Sequence, residues 1–210
     1  MSTSTSTAPA TKRPPRLRFS HFGLSVLDID AMERFYRDLL GFTVTDRGEA
    51  LGFKLVFLSR NPDDHHQIVL ATGKPANIPP NTVNPIFGPA INQISFWMDG
   101  LSELRLLHGK IVDAGVKPIT PIDHGLAWSL YFPDPEGNNI EAFVDTPWYI
   151  QQPFAEPLDM SLDDDTLLKT THDLCRRSKG YRPYADWRAE IAAKMAARAA
   201  GVRASEGQAS

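Results

Sequence analysis

Two segments of the chain show the same alternation of apolar and polar positions. The apolar positions are Phe22, Leu24 and Val26 in the first segment and Ile94, Phe96 and Met98 in the second. Alternation with a period of two residues is typical of a β-strand that buries one face. Each segment therefore opens with a predicted half-buried strand.

A helical pattern follows each of these strands. Its apolar positions recur every three or four residues; they are Met32, Phe35, Tyr36 and Leu39 in the first segment and Leu104, Leu107, Ile111 and Ala114 in the second. This spacing places them on one face of a helix. Gly41 and Gly115 come where each pattern stops, and glycine is a common residue at a helix end.

Three more strand patterns follow each predicted helix. They are FTV, GFKLVFLS and QIVLATG in the first segment and VKPI, AWSLYF and NIEAFV in the second. Each segment is therefore predicted to form a βαβββ module, over residues 18–73 and 90–147. One such sheet leaves an apolar face uncovered, so we expect the two modules to join. The predicted fold class is α+β, with two βαβββ modules forming a curled mixed sheet around a cavity.

The rest of the chain divides into a leader, a linker and an extension. Residues 1–17 are rich in Ser and Thr and predict a disordered leader, and the proline-rich residues 74–89 predict a surface loop between the modules. Residues 148–210 predict a helical extension. Its first helix has Ser161 as the expected N-cap, and a second helix is expected from Ala185 to Ala199.

Composition narrows the class of protein. The 210 residues are 42% hydrophobic with a formal net charge of −3, which fits a soluble globular protein and argues against nucleic acid as a partner. A single cysteine, Cys175, excludes an internal disulfide framework. No apolar run approaches the roughly 18 residues that span a membrane. We expect a cytoplasmic protein, although a basic, Ser/Thr-rich N-terminus is also compatible with an organelle address.

Glu141 interrupts the apolar residues of the last strand pattern, NNIEAF. A carboxylate on an inward face is costly unless it is paired, neutralised or bound to a metal. His21 and Gln93 occupy matching positions in the two modules, so a pseudo-twofold arrangement would bring them close together. A structural interpretation stays open, in which His21 is a core histidine, Gln93 bonds to the backbone and Glu141 pairs with an arginine.

Five sequence stretches resemble those of a known superfamily. They are HFGLSV, FYRDLLGF, DDHHQIVL, HGLAWSLYF and DPEGNNIEAF, all within residues 18–147. On these stretches the chain resembles the vicinal oxygen chelate superfamily of glyoxalases, extradiol dioxygenases and antibiotic-resistance proteins. It is most similar to the type I extradiol dioxygenases, which open catechol rings with iron(II) and dioxygen.

The resemblance implies a metal held by His21, Gln93 and Glu141. The extradiol pattern has a second histidine where this chain has Gln93, and two histidines with one carboxylate are typical ligands of non-haem iron. An amide oxygen is a neutral and weaker donor than imidazole. We expect Fe(II) as the cofactor, with Mn, Ni or Zn as alternatives.

The resemblance also implies three catalytic side chains near the metal. His65 and His66 open the last strand of the first module, where only one can face the cavity; by resemblance it is His66, as an acid/base group. Tyr131 would donate to a substrate oxygen. His124 would be a third active-site histidine, although it lies two residues closer to Tyr131 than in the extradiol motif. The alternatives are surface histidines and a core tyrosine.

The expected function is that of a metal-dependent extradiol-type dioxygenase that cleaves a catechol-like ring with dioxygen. Its expected partners are a small aromatic substrate, dioxygen and a second copy of the chain in a homodimer, without nucleic acid or membrane. Gln93 favours an alternative, a non-redox isomerase or lyase of the glyoxalase type, whose divalent metal only polarises substrate oxygens. A metal-free binding protein of the same fold is a further alternative.

Overall fold

The computed structural model describes residues 19–77 and 91–207, and side chains up to residue 197. The predicted leader and all but the first residues of the predicted linker lie outside the described residues. Within the described residues no helix is both long and apolar enough to cross a lipid bilayer.

The first module forms a four-stranded mixed sheet with one helix. Its elements are β1 (Phe22–Val26), α1 (Ile29–Arg34), a π-helical turn (Phe35–Leu39), β2 (Thr43–Ala50), β3 (Phe53–Ser59) and β4 (Ile68–Thr72). The strands lie in the order β1-β4-β3-β2, with β1 parallel to β4. The predicted order βαβββ is confirmed.

The second module repeats this design. Its elements are β5 (Ile94–Trp97), α2 (Leu101–Asp113), β6 (Thr120–Asp123), β7 (Ala127–Pro133) and β8 (Asn139–Asp145). These strands lie in the order β6-β7-β8-β5, with β5 parallel to β8. The strand predicted at VKPI is wrong in position, because the ladder with β7 begins where Thr120 pairs with Tyr131.

The two modules share one hydrophobic core. Leu24 and Val26 of β1 are buried, as the alternation predicts. Phe35 packs against Phe132 of the second module, with ring centroids 6.4 Å apart. The two halves therefore bury their apolar faces together, as expected for a module that cannot fold alone.

The π-helical turn changes which residue of the first helix enters the core. The amide of Leu40 donates to the carbonyl of Phe35, five residues earlier, at 3.3 Å. This wider turn adds one residue to the helical repeat. Leu40 is consequently buried, whereas the predicted Leu39 is only half-buried.

A turn between β7 and β8 clamps the two modules together. Glu136 in this turn accepts hydrogen bonds from the backbone amides of Leu27 (2.6 Å) and Asp28 (3.0 Å), at the start of α1. Lys74, just after β4, forms an ion pair with the same carboxylate at 2.7 Å. The DPEG turn predicted from the sequence is therefore also an inter-module contact.

The C-terminal extension contains two helices, as predicted, and three short strands. They are β9 (Trp148–Tyr149), β10 (Glu156–Pro157), α3 (Asp164–Arg177), β11 (Arg182–Pro183) and α4 (Tyr184–Gly207). The N-cap of α3 is Asp163 and not Ser161, because the Asp163 carboxylate accepts from the amide of Thr166. Helix α4 extends beyond the predicted Ala199. Strand β10 pairs with β6 and adds the extension to the second sheet.

Candidate active site

Glu141 lies in the middle of β8, where its side chain is almost fully enclosed. The residue is 7% exposed. Its neighbours across the sheet are Ser95 on β5 and Tyr131 on β7. The pairing of three strands therefore sets the surroundings of this carboxylate.

Hydrogen bonds from four side chains satisfy the Glu141 carboxylate. Oε1 accepts from Ser129 (2.8 Å) and Tyr131 (2.7 Å), and Oε2 accepts from Ser95 (2.5 Å) and Gln93 (2.7 Å). All four donors are uncharged, and in the described part of the chain no arginine or lysine pairs with Glu141. The arginine partner considered from the sequence is therefore absent from the described residues. Neutral donors offset the loss of water, but they leave the negative charge in place.

Gln93 stands immediately before β5 and points to the same carboxylate. Its Nε2 donates to Glu141 Oε2 and also to Ser95 Oγ at 2.9 Å. The nitrogen and oxygen of an amide are assigned from their hydrogen-bond partners. A half-turn of the amide would bring its oxygen to the position of the nitrogen, so that two oxygen ligands would stand side by side.

Tyr131 and His124 extend the cluster away from Glu141. The Tyr131 hydroxyl lies 3.1 Å from His124 Nε2, while His124 Nδ1 lies 2.6 Å from the carbonyl oxygen of Phe154. Burial and, after it, the hydrogen bond to Glu141 raise the pKa of Tyr131 well above its ordinary value. The phenol therefore stays protonated and acts as a donor. We call Gln93, Tyr131, His124 and Glu141 the carboxylate cluster.

A cavity of about 490 Å³ opens beside the carboxylate cluster. Its lining combines apolar side chains with a few polar groups: Gln93, Pro118, Thr120, Ile122, His124, Tyr131, Phe132, Pro133, Gly137, Asn139 and Ala155. No lysine or arginine is among these lining residues. Asn139 is 8% exposed, and its Nδ2 has no hydrogen-bond partner within the described residues. A cavity of this kind suits an uncharged, flat ligand with a few polar atoms.

The remaining predicted residues, His21 and His66, form a separate histidine cluster with His65. The rings of His21 and His66 are 4.2 Å apart, and the Nδ1 atoms of His65 and His66 are 2.9 Å apart. The two adjacent histidines precede β4, which begins at Ile68. The prediction that they open the strand and face opposite sides is therefore wrong, because strand alternation does not apply within a turn.

The charge state of His66 reflects its surroundings. Burial foremost, and then the neighbouring His21 and His65, lower the pKa of His66 below its ordinary value. The imidazole is thus held neutral at a lower pH than an isolated histidine, which suits a proton acceptor. His21 is exposed, and its other contact is the hydroxyl of Ser20 at 3.1 Å.

The donor types fit a divalent metal, and two of the three implied ligands are in contact. A carboxylate, an amide oxygen and an imidazole together suit Fe, Mn, Ni or Zn. Glu141 and Gln93 touch one another, while His21 touches His66 instead. Across residues 19–77 and 91–207, no three His, Cys, Asp or Glu side chains converge as a metal site. The metal roles of all three residues stay predictions.

Sequence reasoning missed three groups that contact the carboxylate cluster. Ser129 lies two positions before Tyr131 and Ser95 two positions after Gln93. The period of two in a strand could have identified both serines as facing the same side. No sequence pattern could have identified the carbonyl oxygen of Phe154 as a partner of His124, because every residue type has a backbone carbonyl.

Two curated relatives are similar to this chain, both from Rhodococcus globerulus. Biphenyl-2,3-diol 1,2-dioxygenase 3 is 29% identical over 128 residues, which are 61% of this chain and 63% of the relative. Biphenyl-2,3-diol 1,2-dioxygenase 2 is 31% identical over 129 residues, again 61% of this chain and 63% of the relative. The match thus spans less than two thirds of the length of either relative.

A solved structure and a family profile agree with this similarity. The crystal structure of a glyoxylase/bleomycin resistance protein/dioxygenase domain from Frankia sp. EAN1pec is 22% identical and superposes with a TM-score of 0.52, covering 63% of this chain and all of that domain. At this identity the structure supports the fold alone. The profile of the Glyoxalase/Bleomycin resistance protein/Dioxygenase superfamily matches residues 18–142. The chain therefore belongs to the Glyoxalase/Bleomycin resistance protein/Dioxygenase superfamily.

Proposed function

We propose that this protein is a metal-dependent extradiol-type dioxygenase that cleaves a catechol-like aromatic ring with dioxygen. Both curated relatives are named as dioxygenases of biphenyl-2,3-diol, an aromatic ring with two adjacent hydroxyl groups. The observation that carries the proposal is the buried Glu141, which has no cationic partner among the described residues and lies beside an apolar cavity lined by Tyr131 and His124.

Glu141, Gln93 and His21 are the proposed ligands of the metal. His21 is included because the resemblance implies it as a ligand and because it lies within residues 18–142, which the family profile matches. Fe(II) is the proposed metal, with Mn, Ni or Zn as alternatives. When bound, such an ion would supply a centre that binds both oxygens of the diol and activates dioxygen.

The side chains around the metal ligands have distinct proposed roles. Tyr131, kept protonated by its surroundings, donates a hydrogen bond to a substrate oxygen. His66, kept neutral by burial and by its histidine neighbours, accepts and returns a proton as the ring opens. His124 orients Tyr131 through its Nε2. The cavity lined by Tyr131 and His124 would hold the ring against these two side chains. We also propose that the protein acts as a homodimer.

Gln93 supports a second candidate, a non-redox isomerase or lyase. An amide oxygen beside Glu141 is a harder and weaker ligand than the imidazole of the extradiol pattern. Such a site favours a metal that polarises substrate oxygens without changing its oxidation state. This candidate uses the same ligands and the same cavity, but it does not consume dioxygen.

One experiment separates these candidates. The protein is purified without oxygen, its metals are measured by mass spectrometry, and a catechol panel is then added with dioxygen while oxygen uptake and ring-fission products are followed. Iron with oxygen uptake supports the dioxygenase. Nickel, zinc or manganese without uptake supports the isomerase or lyase. Protein without metal, even after incubation with each ion, contradicts both and supports a binding protein.

A further inference from the structure

His124 is held by a part of the chain that lies beyond the family match. The match ends at residue 142, whereas the ring of His124 contacts the carbonyl oxygen of Phe154 at 2.6 Å. A carbonyl oxygen can only accept a hydrogen bond. The proton of the neutral ring therefore lies on Nδ1, which leaves Nε2 as an acceptor. The Tyr131 hydroxyl lies within reach of both Nε2 and Glu141 Oε1, and its single hydrogen can be donated to only one of them at a time.

The side chain of Gln152 joins the two partners of this contact. Its Nε2 donates to the carbonyl oxygen of His124 at 2.9 Å, and its Oε1 accepts from the amide of Phe154 at 3.1 Å. One amide group therefore ties the backbone of residue 124 to the backbone of residue 154. This bridge fixes the distance between the carbonyl oxygen of Phe154 and the imidazole of His124.

The next residue along the chain, Gly125, is fixed by the extension from the other side. Its amide donates to Asp123 Oδ1 at 2.7 Å, and the other oxygen of Asp123 accepts from Thr171 of α3 at 2.5 Å. Gly125 has a φ of +71°, and a Cβ there would overlap the side chain of Ile150. The backbone around His124 is thus packed directly against the extension.

We propose that Gln152 is a positioning residue, and that the C-terminal extension sets the tautomer of His124 for the active site. The extension holds the proton on Nδ1 and aims Nε2 at Tyr131, which in turn contacts Glu141. This role in catalysis rests on the proposed function, whereas the effect on the ring does not. In this proposal, Phe154 and Gln152 of the extension hold His124 next to Tyr131 despite the short spacing between the two residues in the sequence.

The test is the tautomer of His124, measured by NMR on protein labelled with 15N-histidine. The pH is set about two units above the ordinary histidine pKa of about 6.5, so that the ring is neutral. The His124 signal is identified by its loss in His124→Gln. In the wild type the ring should carry its proton on Nδ1. In Gln152→Ala the Nε2-protonated form, which dominates in free histidine, should become a substantial fraction.

The neighbouring Gln151 offers a matched control. It is exposed like Gln152, and its described hydrogen bond is made by its backbone amide. Gln151→Ala should therefore retain the wild-type tautomer. Thr171→Val tests the second attachment without touching the ring, with Thr170→Val on the exposed side of α3 as its control. Wild-type His124 signals in both Gln152→Ala and Thr171→Val would overturn the proposal.

Activity then separates this inference from the proposed function. If the wild type cleaves a catechol, Gln152→Ala should lower kcat by about 10- to 100-fold through misplacement of Tyr131, with little change in KM. If the wild type cleaves none, the dioxygenase proposal fails, while the tautomer shift in Gln152→Ala still supports the positioning role. A catechol-cleaving Gln152→Ala with wild-type kcat contradicts the positioning role.

Discussion

Two carboxylates with enclosed side chains, one in the turn before β8 and one in β8, are stabilised against the cost of burial in different ways. The side chain of Glu136 is 7% exposed, pairs with Lys74 and accepts from two backbone amides. Although burial alone raises it, the pKa of Glu136 is lowered overall by Lys74 and these amides. Glu141 accepts from four neutral side chains and has no cation beside it in the described residues.

The difference between Glu136 and Glu141 indicates which carboxylate is available to bind a ligand. The charge of Glu136 is balanced within the protein, so this residue is explained by its contribution to the module junction. The carboxylate of Glu141 accepts hydrogen bonds but has no counter-charge among the described residues, and a buried charge without a counter-charge is costly. A bound cation would supply the missing counter-charge. Neutral donors around a carboxylate beside a cavity are therefore better evidence for a ligand site than burial alone.

The largest expected effect comes from removing Glu141 itself. If Glu141 is the charged ligand that we propose, Glu141→Ala should lower metal affinity by more than about 100-fold and abolish turnover. His21→Ala should have the same outcome if His21 is a ligand. Bound metal is measured by mass spectrometry and folding by circular dichroism. Wild-type metal content in both folded variants would contradict the proposed ligand set.

The second prediction separates chemistry from metal binding. In His66→Ala the proposed ligands Glu141 and Gln93 are intact, so the metal content should stay at the wild-type level. Turnover should nevertheless fall by about 10²–10⁴-fold, the usual loss for an acid/base group. His65→Ala is the matched control because His65 is the exposed neighbour, and it should retain more activity. Equal turnover in wild type and His66→Ala would make His66 a surface residue.

The third prediction concerns Glu136. Here we expect a loss of stability without a loss of metal affinity, the opposite of what we expect for Glu141. Glu136→Ala leaves Lys74 unpaired and two backbone amides without an acceptor, so it should lower the free energy of unfolding by about 2–4 kcal/mol. Metal affinity of the folded protein should not change. Asp173→Ala, which breaks an exposed ion pair with Lys169, should have no measurable effect. Chemical denaturation of the wild type and of both variants measures these differences.

Gln93 tests how strongly the neutral donors around Glu141 contribute to metal binding. Gln93→His introduces an imidazole, a donor that suits iron better than an amide oxygen does, and should tighten iron(II) binding by about tenfold. Gln93→Ala should weaken it by a similar factor. The dissociation constants are measured without oxygen in one buffer. If the three proteins agree within error, Gln93 is not a ligand.

The smallest expected effect concerns a third buried carboxylate, Asp123. Burial raises its pKa above the ordinary 3.8, although bonds from Thr171 and Gly125 oppose this shift. The protonated form therefore stabilises the fold below about pH 3.8, and this contribution is lost as the pH rises through the higher pKa of the folded state. Compared with Asp123→Asn, the wild type should become progressively less stable over this window. Parallel pH profiles in thermal unfolding would contradict the shift.

The order of strands and helices could be predicted because each element has a periodic pattern. Leu24 and Val26 of β1 are buried as predicted, as are Leu104, Leu107 and Ile111 of α2, whereas Ala114 is exposed just after that helix ends. Gly41 and Gly115 have the positive φ of helix ends, +72° and +69°. The π-helical turn could not be predicted, since no residue type marks it. Only the structure reveals that Leu40 replaces Leu39 in the core.

The candidate site could be predicted in part. Gln93, Tyr131, His124 and Glu141 do come together, because strand pairing brings matching positions of β5, β7 and β8 side by side. The histidine cluster was misjudged because a strand pattern was extended into the turn before β4. The contact between His124 and the extension was not predicted either. It depends on the backbone carbonyl of Phe154, which lies 30 residues away in sequence.

The clamp at Glu136 has a mechanical consequence for the site. The turn that contacts α1 and Lys74 leads directly into β8, the strand that carries Glu141. A force that separates the two modules would therefore be transmitted to β8 before it reached the outer strands. Under such a load the site would lose its shape while most of both sheets was still paired, so that activity would fail earlier than the fold.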